Sequence, residues 1–359
     1  MLKYLMGGVA SVALLAAAPH AAMALTTIAL QATEAETPAA GEQTETERLY
    51  AWMDEVFQTE LQYSPESKTQ LGIIDEDYDD WGPRGDEAAA AEHARRQEYR
   101  AELIENFDRD LLDEAGKLSY DFLIYQGTMS DRLYQVRESG YVFSPMGDAV
   151  SGLTTFMINA HQVRNEEHAE AYLSRLAGLG EIVDDLVEEA EERAENGVRL
   201  PLFAYPRLTA SAERQMSGAP FDDTDTDSAI LADFRGKVEA LDLSEEDGAA
   251  MIARAEEILL DSYQPALQRY VASLEEMETH ADERAGIWKN PNGAEYYEAQ
   301  VAFFTTRDDL TAQDVHEIGL SEVERIQNEM RGIMEQVGFE GDLQEFFEFL
   351  RTDEQFYYP

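Results

Sequence analysis

The sequence predicts an all-α protein, a set of antiparallel helices packed into a bundle-like domain. Three observations lead there. Apolar residues recur at the 3.6-residue spacing of a helix over most of the chain. Capping residues stand where those patterns begin and end. No alternation of period two runs longer than a few residues, so strands have nothing to build on.

Taken in order, the helices begin near Thr46. Leu49, Trp52, Met53, Val56 and Phe57 fall at i, i+3, i+4, i+7 and i+8, one helix face. Ser64-Pro65-Glu66 reads as a helix start, with Ser as N-cap and Pro at the first position. Residues 74–84 form an acidic loop, and two helices follow over 85–107 and 112–138. Residues 141–155, with Pro145, Gly147 and Gly152, read as a loop. Asn165 opens a long helix that ends at Asn196-Gly197. Residues 200–206 are an irregular connector, and 222–227 a polar loop.

Ser244, with Asp247 three residues on, caps a helix running to about His280, in which Pro265 should force a kink or break. Residues 286–293 are turn-rich, and a short helix covers 296–305. Thr311 caps the next helix, whose stripe Val315, Ile318, Val323, Ile326, Met330, Ile333, Met334 and Val337 is expected to be core. Gly338 ends it, and Asp342 caps a last helix ending near Arg351. Phe346, Phe347, Phe349, Leu350, Phe356, Tyr357 and Tyr358 form a dense apolar cluster there, an element in want of a partner layer.

Residues 1–24 read as a secretory signal. Lys3 supplies the positive charge, Leu5 to Ala18 the apolar run, and Ala22-Met23-Ala24 the small-residue cleavage site. The apolar run has 14 residues, short of the ~20 that span a bilayer. Residues 25–45 read as a flexible acidic linker and 46–359 as the helical domain. The expected location is periplasmic or extracellular after cleavage near Ala24, without a membrane anchor. The net charge of −47 repels phosphate backbones, which argues against nucleic acid as a partner. The absence of cysteine excludes disulfides, thiolate metal sites and cysteine nucleophiles.

The residues present offer no catalytic constellation. His316-Glu317 begins a zinc-helix motif, but position 320 is Leu where the second histidine is needed. His161 and His168 are seven apart, with the helix start at Asn165 between them. Asp223, Asp225 and Asp227 have the first spacings of a calcium loop, yet Ser228 and Phe234 stand where Gly and Glu are required. Neither Gly-x-Ser-x-Gly nor a phosphate-binding loop occurs. Carboxylate pairs are uninformative among 74 acidic residues.

One long segment carries a family resemblance. Gly286-Ile-Trp-Lys-Asn-Pro-Asn-Gly-Ala-Glu-Tyr-Tyr297 is followed by Leu310-Thr-Ala-Gln-Asp-Val-His-Glu-Ile-Gly-Leu320, Val337-Gly-Phe-Glu-Gly341 and Phe346 to Asp353. This run resembles the bacterial family labelled domain of unknown function 885. Weaker matches lie at Ser64-Pro65-Glu66, residues 171–176, Asn196 to Pro201 and Ser262 to Pro265. The resemblance implies a secreted helical protein of zinc-peptidase type acting on peptides. It also implies that this chain corresponds to the N-terminal part of such a fold, because the family's His-Glu-x-x-x-Gly-His-His helix lies beyond the Arg-Thr-Asp segment. No residue of this sequence matches those ligands, so zinc is implied for a full-length relative and no cofactor for this chain. Trp288, Tyr296 and Tyr297, with the loop 141–155, are the candidate substrate contacts. The alternative is a complete exported helical module that binds a peptide or protein without catalysis.

Overall fold

Thr44 accepts a hydrogen bond from the Glu47 amide while the Glu47 side chain takes the Thr44 amide, and this capping box starts the first helix. The structure is a computed structural model that describes residues 43–358. The expected signal segment, and the expected linker as far as residue 42, lie outside the described residues. Helix α1 spans Glu45–Leu61, α2 Pro65–Gln70, α3 Gly85–Asn106 and α4 Glu114–Gln135. Then come α5 over Ala149–Asn159, α6 over Glu166–Glu195, α7 over Tyr205–Gln215 and α8 over Ala229–Glu239. Helices α9 (Glu245–Ile258) and α10 (Gln264–Glu278) flank a π-turn at Leu259–Tyr263. Helices α11 (Gly293–Thr305), α12 (Ala312–Val337) and α13 (Leu343–Thr352) complete the order. The described residues form no strand, only an isolated bridge between Ala219 and Asp227. The all-α class is as expected.

Most caps stand where the sequence puts them. Asn165 accepts from the His168 amide, Ser244 from Asp247 and Asp342 from Gln344 and Glu345. Gly338 ends α12 in the left-handed region at φ 67°, which a glycine adopts without a Cβ penalty. Pro265 has no amide hydrogen, and the chain answers it with a π-turn. The Gln264 amide reaches back five residues to the Leu259 carbonyl, and the helix resumes. The expected kink or break is therefore a local change of register.

Residues 141–155 are not one loop. The loop ends at Asp148, which caps α5 by accepting from the Val150 and Ser151 amides. Helices α7 and α8 also lie in stretches that the residue pattern does not mark. Pro206 at the start of α7 suits a helix's first turn, where the missing amide has no partner to lose.

The described residues divide into two units, one through Gly293 and one from Ala294 on. In the first, the core surrounds α6. Tyr172, Leu173, Leu176, Leu179 and Val183 line its buried face. Helix α6 packs on α10, α9, the π-turn and α5, while α10 packs on α7 and α9 on α8. A satellite core of Leu49, Leu103, Phe107 and Leu112 joins α1, α3 and the start of α4.

Between these cores lies a buried polar centre. Arg175 of α6 is fully buried and donates to the Asp80 carbonyl at 2.9 Å and the Thr69 hydroxyl at 2.8 Å. His161 is 1% exposed, with the Tyr78 ring 4.4 Å away. Its Nδ1 faces the Arg175 Nη1 and its Nε2 faces the His168 carbonyl, each at 3.3 Å. The pattern is that of a neutral ring, protonated on Nε2, accepting at Nδ1. Burial, then the Arg175 charge, lowers the His161 pKa from 6.5 to about 3. Between those values the unfolded chain binds a proton that the folded chain refuses. Stability contributed by neutral His161 is thus lost as pH falls through this window. Asp148 acts oppositely, because burial raises its pKa. In urea unfolding from pH 7 to pH 4, wild type should lose stability more steeply than His161→Asn. Equal slopes would refute the assignment.

In the second unit, α12 packs on α13. Phe346 is buried beside Phe339 and Phe349, with ring centres 5.1 Å and 6.3 Å away. The stripe on α12 departs from expectation. Met334 alone is buried, whereas Ile318, Val323, Ile326, Ile333 and Val337 are exposed. Amphipathic spacing marks a face fit to be covered, and Met334 is the one residue of this stripe that is buried.

Candidate functional site

Helices α5 and α7 pack against each other and leave an open cleft of about 630 Å³, within the range of small-molecule sites. One wall is Pro145, Met146 and Gly147 followed by the first turns of α5. Asp148, Ser151, Gly152 and Thr155 recur every three or four residues, so one face of that helix lines the cleft. The other wall is α7, where Arg207, Ser211 and Arg214 fall at i, i+4 and i+7. The cleft therefore mixes two guanidinium groups and several hydroxyls with apolar surface from Pro145, Met146 and Pro206.

The floor is held by buried hydrogen bonds. Asp148 is 6% exposed and accepts from the Tyr270 hydroxyl at 3.0 Å. Burial pushes the Asp148 carboxyl up, and burial with the Asp148 charge pushes the Tyr270 hydroxyl far up, so that hydroxyl stays a donor. Behind them the Gln215 carbonyl accepts from Thr154 at 2.6 Å and from Tyr263 at 2.8 Å. These bonds tie α5, α7, the π-turn and α10, so both walls sit on fixed elements.

The loop 141–155, expected to contact substrate, supplies one wall of this cleft from Pro145 onward. The three aromatic candidates do not line it. Trp288 is 66% exposed, with its ring over Gly286, where a Cβ would collide with the indole. The residue that fixes this turn is Asn290, 4% exposed, whose side-chain amide donates to the Ser139 carbonyl at 3.4 Å. Tyr296 and Tyr297 belong to the second unit, Tyr296 half-buried and Tyr297 40% exposed. The arginines of α7 were missed. Their i, i+7 spacing with Ser between was the available signal, lost because no helix was expected there.

Among the described residues no group of three or more His, Asp or Glu is placed to hold a metal. His161 and His168 both stack near Tyr78, but both nitrogens of His161 are already engaged. Of the 222–227 loop, Asp227 pairs with Arg235 at 2.6 Å and Asp222 accepts from Gly218 and Thr224, so these two carboxylates are engaged. His316 lies exposed in the first turn of α12. No helix among the described residues is long and apolar enough to cross a membrane.

The fold is shared with a solved structure described as "the putative lipoprotein from Colwellia psychrerythraea", with a TM-score of 0.72 at 17% identity. The match covers 88% of this chain and 55% of that one, so the chain spans little more than half of that structure's length. No curated protein is significantly similar to this sequence. Residues 65–359 match the family described as "Bacterial protein of unknown function (DUF885)", and the chain belongs to that family.

Proposed function

We propose that this chain is the N-terminal, substrate-holding portion of a larger exported protein of zinc-peptidase type, inactive alone and acting on peptides when complete. The observation that carries the reading is the α5–α7 cleft, where two guanidinium groups and apolar side chains meet on rigid walls. The exposed apolar residues of α12 support a larger assembly, since a row of exposed apolar side chains marks an interaction surface. The coverage of just 55% of the similar structure accords with it. The described residues do not fit zinc: the histidines nearest each other are committed to Arg175 and to backbone. Metal and general base would come from elsewhere in the complete protein. Export rests on the signal-like residues 1–24, and the charge of −47 disfavours nucleic acid and anionic membrane as partners.

The alternative is a peptide- or protein-binding module without catalysis. In its favour, the cleft is formed wholly within the first unit.

The test uses purified residues 25–359 with zinc and a mixed hexapeptide library. The expected result is retention of a subset of peptides without cleavage. Chelator-sensitive cleavage by this chain alone would overturn its inactivity, and retention of no peptide would overturn the substrate-holding role.

A further inference from the structure

The α5–α7 cleft is unlike the rest of the surface in its charge. The chain carries 74 acidic residues against 27 Lys and Arg, a formal net charge of −47. Its arginines are mostly neutralised. Arg254 meets Glu170 and Arg269 meets Asp184, each at 2.6 Å. Arg207 and Arg214 differ, for among the described residues neither has a carboxylate at ion-pair distance or a hydrogen-bond partner for its guanidinium. Asp148 is the only acidic residue lining the cleft, and its oxygens face the Tyr270 hydroxyl and the Val150 and Ser151 amides.

A second observation points the same way. Both helices meet the cleft by their N-terminal turns, α5 through Asp148 to Gly152 and α7 through Pro206 to Leu208. The Asp148 carboxylate already caps the α5 amides, whereas no side chain caps α7, which has 11 residues and presents the positive end of its dipole there. Arg207 sits in that first turn of α7, and Arg214 two turns further along the same face, about 10 Å away. That spacing matches about three residues of an extended peptide.

The ligand is narrowed by charge and by the neighbouring surface. The field of a strongly acidic protein opposes multiply charged anions more than singly charged ones. The cations share the cleft with Met146, 86% exposed, and with Pro145 and Pro206. A group carrying one negative charge and an apolar branch fits both features, and the last residue of a peptide is such a group. We propose that Arg207, with the first turn of α7, binds the free C-terminal carboxylate of a peptide ending in an apolar residue. Arg214 then meets a backbone carbonyl or acidic side chain about three residues upstream. This deepens the peptide-holding reading above and rests on it.

The test measures binding of an N-acetylated alanine hexapeptide ending in leucine, as free acid and as amide. The free acid should bind about 10- to 100-fold more tightly, the range of a charge-assisted pair. Arg207→Gln should bring the two within about twofold, with Arg207→Lys between, while Arg214→Gln weakens both forms alike. Arg207 is exposed, and an unchanged melting temperature will show that Arg207→Gln folds. Equal binding of acid and amide, or a preference that survives Arg207→Gln, overturns the subsite and leaves peptide holding intact. A further probe, 4-methylpentanoate, carries the carboxylate and branch without a peptide bond. If it binds in an Arg207-dependent way and neither peptide does, the carboxylate subsite stands and peptide holding falls. If none of the three binds, both fall.

Discussion

Arg175→Ala is expected to lower the stability of the first unit by about 3–5 kcal/mol, the cost of breaking a buried charged network and leaving a cavity. Arg175 is fully buried. Its guanidinium joins three separate parts of the chain: the Pro65 carbonyl at 3.4 Å and the Thr69 hydroxyl in α2, the Asp80 carbonyl in the acidic loop, and His161 ahead of α6. The rings of Tyr78, Trp81 and Phe156 surround it at 5.3 Å to 5.6 Å. Among the described residues no carboxylate lies at ion-pair distance, and burial lowers its pKa, with Glu66 first among the charges that oppose the shift. Alanine would leave the two carbonyls and the hydroxyl without their donor and open a void among the rings. Lysine would keep the charge but lose the planar fork that reaches four acceptors, so Arg175→Lys should also be destabilising. Urea unfolding gives the magnitude, and proteolysis should cut residues 73–84 first. A loss under about 1 kcal/mol would show that the network is not needed.

Gly180→Val is expected to cost about 3 kcal/mol or more, at the upper end of overpacking. Gly180 lies on the face of α6 that meets the π-turn. A Cβ there would collide with the Ser262 hydroxyl and stand 2.9 Å from the Ser262 carbonyl oxygen. The hydroxyl can rotate away, whereas the carbonyl belongs to the backbone and cannot move without shifting the turn. Gly236 in α8 is the control, because a Cβ there meets nothing within 4 Å. Gly236→Ala should stabilise by about 0.5–1 kcal/mol through helix propensity. If Gly180→Val is tolerated as well as Gly236→Ala, the close approach of α6 to the π-turn is wrong.

The two glycines show how far a sequence can be read. Both stand inside helices and look alike as letters. Only the neighbour across the interface separates one that must remain glycine from one that need not. The same holds for the helices. Asn165, Ser244, Thr311 and Asp342 were legible as caps because an N-cap acts on amides two or three residues away. Helix α5 was not, because Val150, Gly152, Leu153, Thr154 and Met157 are buried around much of its circumference and leave no polar face to set a period. Asn290, the buried anchor of its turn, was passed over for Trp288, since size suggests a contact but only packing decides burial.

The sequence by itself determined the all-α class, most helix ends, the acidic surface and the lack of cysteine chemistry, since these follow from local hydrogen bonding, spacing and composition. It also marked the stripe on α12 as apolar and pointed to it as core, although whether anything covers a face is not written in its spacing. Tertiary structure decided that, leaving Ile318, Val323 and Ile326 exposed. It alone also brought Arg175 to its acceptors about a hundred residues away, and set Arg207 across a cleft from Asp148. The physical reason is range. Capping and periodicity act within a few residues along the chain, whereas a cleft, a buried charge and an uncovered face depend on which distant surfaces meet.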